Sequence, residues 1–215
     1  MSVLFFCTGE PVNKVSGMLD SRGFEAAVLK EKESEILPYN SKIIDPRGRK
    51  VLIGEGLPAR DTAEKLFLPC ELTVEPLLNE IPLRAFTDTE KQYKAEVWLR
   101  KAAAQRKTGD IRQPETASAV RVRADALIEK IEGDDPILIL YPLFLEVFLD
   151  RLRVHGYVIH RSGMLKIQPL ERFAASRREE HCGGCQHNCF LDNPGCGIGR
   201  DKAMRQSGRE RGRMP

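Results

Sequence analysis

Ile137-Leu138-Ile139-Leu140 is an unbroken aliphatic run that begins four residues after Gly133 and ends at Tyr141-Pro142. It is too short for a helix and does not alternate with polar residues. It reads as a strand buried on both faces, which requires a layer of structure on each side of its sheet. Ser2–Phe6 (SVLFF) is a second such run, passing into the turn Cys7-Thr8-Gly9-Glu10-Pro11. Val51–Ile53, closed by Gly54-Glu55-Gly56, is a third, and Leu72–Val74 a fourth.

Helical patterns lie between these runs. Ser21–Lys32 carries Phe24, Ala27 and Val28 at helical spacing, and Ala59–Leu68 sets Ala63, Leu66 and Phe67 on one face. Thr87-Asp88-Thr89-Glu90 has the form of a capping box, predicting a helix from there to about Gln105. Pro114-Glu115-Thr116 predicts the start of another, with Ala119, Val122, Ala126, Leu127 and Ile131 as its apolar stripe. Leu143–Leu152 is an apolar helix directly after the aliphatic run. Tyr157–Ile159 and Met164–Ile167, separated by Arg161-Ser162-Gly163, predict a hairpin. Strands alternating with helices give an α/β class with a mostly parallel sheet.

The 215 residues are 41% hydrophobic and 30% charged, enough for a core and too apolar for a disordered chain. No apolar run approaches the length of a membrane span. Met1–Gly9 lacks a basic leader and reads as a first strand, so a cytoplasmic location is expected and no membrane partner. Residues 174–215 hold 8 of the 34 Lys and Arg and 5 of the 31 Asp and Glu, so the whole +3 excess sits there. Four of the 6 cysteines fall in the same stretch. These shifts divide the chain into residues 1–173, a Cys-rich segment 174–199 and a basic, flexible tail 200–215.

The order of segments over roughly residues 3–170 resembles the histidine phosphatase superfamily, with its phosphoglycerate-mutase-like, three-layer α/β/α fold. Six short motifs carry the resemblance. Cys7-Thr8-Gly9-Glu10 stands where that family has Arg-His-Gly-Glu after the first strand. Leu19–Ala27 stands at its Leu-Thr-Glu-Arg-Gly-x-x-Gln-Ala, and Pro58-Ala59-Arg60-Asp61-Thr62-Ala63-Glu64 at its Arg-Ala-x-Gln-Thr-Ala-Glu. Leu78-Asn79-Glu80-Ile81 is similar to Leu-x-Glu-Ile. Glu115-Thr116 with Arg123 is similar to its Glu-Ser and later Arg. Tyr141-Pro142 follows the strand that in the family ends in Ser-His-Gly.

The resemblance implies that the chemistry is degenerate. The family moves a phosphoryl group onto a histidine, assisted by two arginines, a second histidine and a carboxyl acid. Matched position by position, the nucleophile is Thr8, the arginines are Cys7 and Pro58, and the second histidine is Tyr141. Glu80 keeps the acid position, and Gly9 and Glu10 remain beside the first motif. All four histidines, His155, His160, His181 and His187, follow the last motif. A phosphate dianion needs forked guanidinium donors, and these positions no longer supply them. Cys7 with Thr8 is an alternative nucleophile, and Arg84, Arg60 or Lys14 alternative sources of charge. The blander readings are a small buried Cys and surface cations. Tyr141 is expected to fill the emptied site with its hydroxyl on Glu80 or on a water.

Cys182, Cys185, Cys189 and Cys196 are spaced C-x2-C-x3-C-x6-C among Gly, Asn and Pro. Four thiols in glycine-rich loops suit tetrahedral metal ligation, and the segment has too few apolar residues for a core. Zinc is the first expectation and an iron–sulfur cluster the second. A plain thiol-bearing tail is the third, with His181 and His187 as substitute ligands or exposed side chains. The arginines after Arg200 lack interleaved aromatics, so specific nucleic-acid binding is not expected. Three function classes follow. The first is a pseudophosphatase that binds an unidentified protein or small-molecule ligand. The others are a divergent phosphatase or phosphomutase with a rebuilt pocket, and an iron–sulfur redox module.

Overall fold

The computed structural model describes residues 2–40, 42–161 and 166–177. The chain divides after His181, and all described residues belong to the first unit. Its centre is a six-stranded sheet in the order β4-β3-β6-β1-β8-β7. The strands are β1 (Ser2–Cys7), β3 (Val51–Ile53), β4 (Leu72–Val74), β6 (Ile137–Leu140), β7 (Tyr157–Arg161) and β8 (Arg172–Arg177). The pairings β4–β3, β3–β6 and β6–β1 are parallel, and β8 runs antiparallel to both β1 and β7. The sheet is thus mostly parallel, as expected, with one reversed strand. A two-residue ribbon, β2 (Met18–Leu19) with β5 (Tyr93–Lys94), lies apart from it.

Strand alternation builds two cores. Val3, Phe5, Cys7, Leu138 and Leu140 pack with α4 (Ala117–Lys130) and α5 (Pro142–Val154). Phe6, Val51, Ile53, Ile137 and Ile139 pack with Ala59, Ala63 and Leu66 of α2 (Leu57–Leu66) on the other face. The result is a three-layer α/β/α arrangement. Phe5 stacks on Phe173 at 5.3 Å and meets Phe148 edge-on at 5.6 Å. Burial of one such ring stabilises the fold by about 1.5–3 kcal/mol. A third cluster joins Phe24 of α1 (Ser21–Lys32) to Trp98 of α3 (Ala95–Thr108), with Val15 and Ala85. The Trp98 indole donates to the Leu19 carbonyl at 2.8 Å, tying α3 to the ribbon. Among the described residues, no helix is long and apolar enough to cross a membrane.

Several sequence expectations change. The helix expected from Thr87 begins at Ala95, because Tyr93-Lys94 pair with β2 and the capping-box residues instead bridge to α1. There Ser21 N–H donates to the Thr89 carbonyl at 3.1 Å. In α4 the buried stripe is Val120, Ala124, Leu127 and Ile128, with Ile131 just beyond; Val122 is 68% exposed, so the expected face was rotated. The partner of β7 is β8, not residues 164–167; Met164 and Leu165 lie outside the described residues. The boundary expected at 173 falls inside β8, whose residues up to Ser176 pair with β1.

Candidate functional site

The parallel strands β1, β3 and β6 end side by side, and their C-terminal ends deliver Cys7-Thr8, Gly54 and Tyr141 to one edge of the sheet. This is where open parallel sheets hold their ligands. Tyr141 is fixed there by a short connection. The strand stops at Leu140 and Pro142 is already in the first turn of α5, so Tyr141 alone makes the join. It continues the face of Ile137 and Ile139, toward α2.

The Tyr141 ring fills the space over the β3–α2 connection. A Cβ on Gly54 would lie 3.1 Å from its Cε2, and a Cβ on Gly56 would collide with its hydroxyl. Only 4% of the residue is exposed. The hydroxyl is not on Glu80, as the sequence suggested. Among the described residues it has no hydrogen-bond partner, and it faces the first turn of α2. Burial and the Glu80 carboxyl push its pKa up, while the Ala59 and Gly56 amides pull it down without closing a well-formed bond. Pro58 is buried in that first turn, where its missing N–H costs nothing. Its carbonyl accepts from Thr62 Oγ1 at 2.6 Å.

The first motif is equally occupied. Gly9 N–H donates to Thr62 Oγ1 at 2.9 Å, and Thr8 N–H donates to the Leu140 carbonyl at 2.9 Å. Gly9 must be glycine, since a Cβ would stand 2.5 Å from Ile36 Cδ1. Thr8 is 3% exposed. Cys7 is fully buried, and its thiol pKa is pushed up to about 12 by burial first and by the Glu80 and Glu171 carboxyls next. A thiol with that pKa is not a nucleophile near neutral pH. Glu10, beside this motif, pairs with Lys14 at 3.2 Å.

Glu80 lies between Leu78 and Ile81, both in the core against α4 and α5. Burial, then the Glu31 carboxylate, raises its pKa to about 8, against the lowering pull of the Ile81 amide, Arg123 and Arg106. It is therefore protonated near neutral pH. Arg123 shapes the loop before it. The guanidinium grips Glu115 through Nε and Nη2, both at 2.8 Å, and donates from Nη1 to the Leu77 and Asn79 carbonyls at 3.0 and 2.7 Å. Phe144 covers it at 4.3 Å. Arg123 thus holds the Glu80 loop and has little left for a ligand.

No family model and no curated protein matches the sequence. Among solved structures, the chain is similar to a "putative alpha-ribazole-5'-P phosphatase" from Escherichia coli str. K-12. The two share 17% sequence identity over 71% of this chain and 79% of that one, with a TM-score of 0.41. It is also similar to the product of open reading frame Rv3214 from Mycobacterium tuberculosis, at 17% identity over 70% of this chain and 79% of that one, with a TM-score of 0.41.

The alternative cations do not enter the site as suggested. Arg84 pairs with Glu25 at 3.4 Å, Lys14 is held by Glu10, and Arg60 points from the exposed side of α2. Sequence reasoning missed Thr62, which ties Gly9 to α2, and Glu31 and Arg106, which act on Glu80. A polar residue on an amphipathic helix gives no local sign that it faces inward. The Cys182, Cys185, Cys189 and Cys196 cluster, with His181 and His187, lies outside the described residues. Among the described residues, no group of three or more His, Cys, Asp or Glu side chains is arranged to hold a metal ion.

Proposed function

We propose that this domain is a histidine-phosphatase-like fold whose phosphoryl-transfer site is closed, and that it works as a binding or regulatory module. One observation carries the reading. Tyr141 occupies the edge where the β1, β3 and β6 ends meet, packed against Gly54 and Gly56. The neighbouring groups support it. The Cys7 thiol stays protonated, Thr8 is buried, and Arg123 is spent on Glu115 and two carbonyls. Phosphoryl transfer depends on positioned positive charge and a free nucleophile, and both are lacking among these residues. Intact-mass spectrometry of the protein, quenched during incubation with a phosphomonoester, tests this. No phosphorylated protein is expected; a stoichiometric phosphoprotein would overturn the reading.

The competing reading is a divergent phosphatase or phosphomutase, and Glu80 favours it. A carboxyl acid with a pKa near 8 carries the proton that a leaving group needs at neutral pH. It lacks an accessible nucleophile beside it.

The second part of the proposal concerns Cys182, Cys185, Cys189 and Cys196. Their spacing and glycine-rich setting support a four-thiolate zinc site. Elemental analysis with an absorption spectrum of anaerobically purified full-length protein is the test. One zinc per chain and no colour are expected. A brown protein containing iron would favour the iron–sulfur redox module, and protein without metal would leave a thiol-bearing tail.

A further inference from the structure

We infer that Leu170 is a latch over the Thr8 end of β1, and that a flip of the turn carrying it opens the closed edge of the sheet. The inference deepens the binding role proposed above and rests on it, naming the step that controls access. Two non-glycine residues among the described ones have positive φ, Arg47 at 53° and Leu170 at 62°. Arg47 is exposed, whereas Leu170 is buried. A bulky L-residue is disfavoured in this left-handed region because its Cβ crowds the following carbonyl oxygen. Gln168-Pro169-Leu170-Glu171 is a β-turn closed by the Glu171 N–H on the Gln168 carbonyl at 3.1 Å. Proline at its second position with positive φ at its third is the type II pattern, and the third position of that turn favours glycine or asparagine. Leucine is held there from two sides. Its N–H donates to the Thr8 carbonyl at 3.4 Å, and its side chain is buried in the apolar cluster that contains Phe6, Ile36 and Tyr141.

Such a turn has a relaxed form close by. Rotation of the Pro169–Leu170 peptide plane turns type II into type I, taking Leu170 to negative φ and keeping the bond from Glu171 to Gln168. The Glu171 end stays fixed during the flip. Its carboxylate accepts from Arg161 Nε and Nη2 at 3.0 and 3.1 Å and from the Gln168 N–H at 3.0 Å, and its carbonyl accepts from the Cys7 N–H at 3.0 Å. What moves is Leu170: its N–H leaves Thr8 and its side chain leaves the cluster. A long hydrogen bond and apolar burial are lost, and backbone strain is released, so the open form lies a small step above the closed one. Thr8 itself is 3% exposed, and its N–H donates to the carbonyl of Leu140, the residue before Tyr141, at 2.9 Å. Withdrawal of Leu170 uncovers Thr8 and the cluster that holds Tyr141 without breaking the pairing of β1 with β6. The latch is therefore local, and it acts on the edge that Tyr141 closes.

Residue-resolved native-state hydrogen exchange of the full chain tests the inference. The Leu170 amide should be at least about tenfold less protected than the Thr8 and Cys7 amides, and its exchange should not respond to low denaturant, the mark of a local opening. Two variants test the cause. Leu170→Ala loses the packing and keeps the strained backbone, whereas Leu170→Gly loses both. After correction for intrinsic rates, the amide at position 170 should be about fivefold or more less protected in Leu170→Ala than in Leu170→Gly. Access is read in Thr8→Cys, a substitution of similar size, whose thiol should react with iodoacetamide about tenfold faster once Leu170→Ala is added. The inference is overturned by equal protection and equal denaturant response of the Leu170, Thr8 and Cys7 amides in the wild type, by equal protection in Leu170→Ala and Leu170→Gly, or by labelling of Thr8→Cys that Leu170→Ala leaves unchanged. Where a variant fails to fold, the wild-type exchange pattern decides. A phosphoprotein in the mass experiment speaks against the closed site, and uniform protection speaks against the latch alone.

Discussion

Tyr141 stands where a side chain on Gly56 would have to stand. Gly56 has ordinary extended backbone, φ −70° and ψ 150°, so its requirement for glycine is steric, imposed by the phenolic oxygen. Gly56→Ala should therefore cost about 2 kcal/mol, from overpacking and a poorer helix cap. Tyr141→Phe should be neutral or stabilising by up to about 1 kcal/mol, since the hydroxyl it removes is buried and has no partner among the described residues. In the Tyr141→Phe background the Gly56→Ala cost should fall by about half. Denaturant midpoints of the four proteins measure the coupling. Equal costs in both backgrounds would mean that the hydroxyl does not close the site.

Cys7 should be inert in the folded protein. Its thiol is fully buried with a pKa near 12, whereas Cys70 is half-buried. Peptide mapping after brief iodoacetamide treatment at pH 8 should find Cys7 unmodified and Cys70 labelled. Denaturation first should expose both. Rapid labelling of native Cys7 would revive it as a nucleophile.

Glu80 makes stability fall with rising pH. Its carboxyl binds a proton more tightly folded than unfolded, with pKa values of about 8 against 4.5. The unfolded chain therefore releases a proton that the folded one keeps across this window. Stability from this group is full below the unfolded value, declines between the two, and is lost above the folded one. The decline should be on the order of 1–3 kcal/mol, because the site is not sealed from water. Glu80→Gln should flatten it and be the more stable protein at pH 9. Parallel profiles for the two proteins would show that Glu80 is ionised at neutral pH.

Much of this was legible in the sequence because it is local. The apolar runs at Ser2, Val51, Leu72 and Ile137 became β1, β3, β4 and β6, and Ser21–Lys32 became α1 with Asp20 as its cap. Cys7-Thr8 and Tyr141 reach one edge because the strands they follow, β1 and β6, are parallel neighbours. What failed is long-range. β8 is built on Arg172-Phe173-Ala174-Ala175-Ser176-Arg177, whose small residues carry little strand signal and are buried only through pairing with β1 and β7. Thr87–Glu90 has the composition of a helix cap, but the pull of the β2–β5 ribbon delays the helix to Ala95. Arg106 and Thr62 matter through partners or exposures set by other elements, which no window of sequence contains.

The closed site is tested most directly by turnover. Initial rates of p-nitrophenyl phosphate and phosphoglycerate hydrolysis by the full chain should be measured from pH 5 to 9, with Glu80→Gln in parallel. The account predicts no rate above buffer for either protein at any pH. A clear wild-type rate that disappears in Glu80→Gln would contradict it and make Glu80 the acid of a working, rebuilt phosphatase.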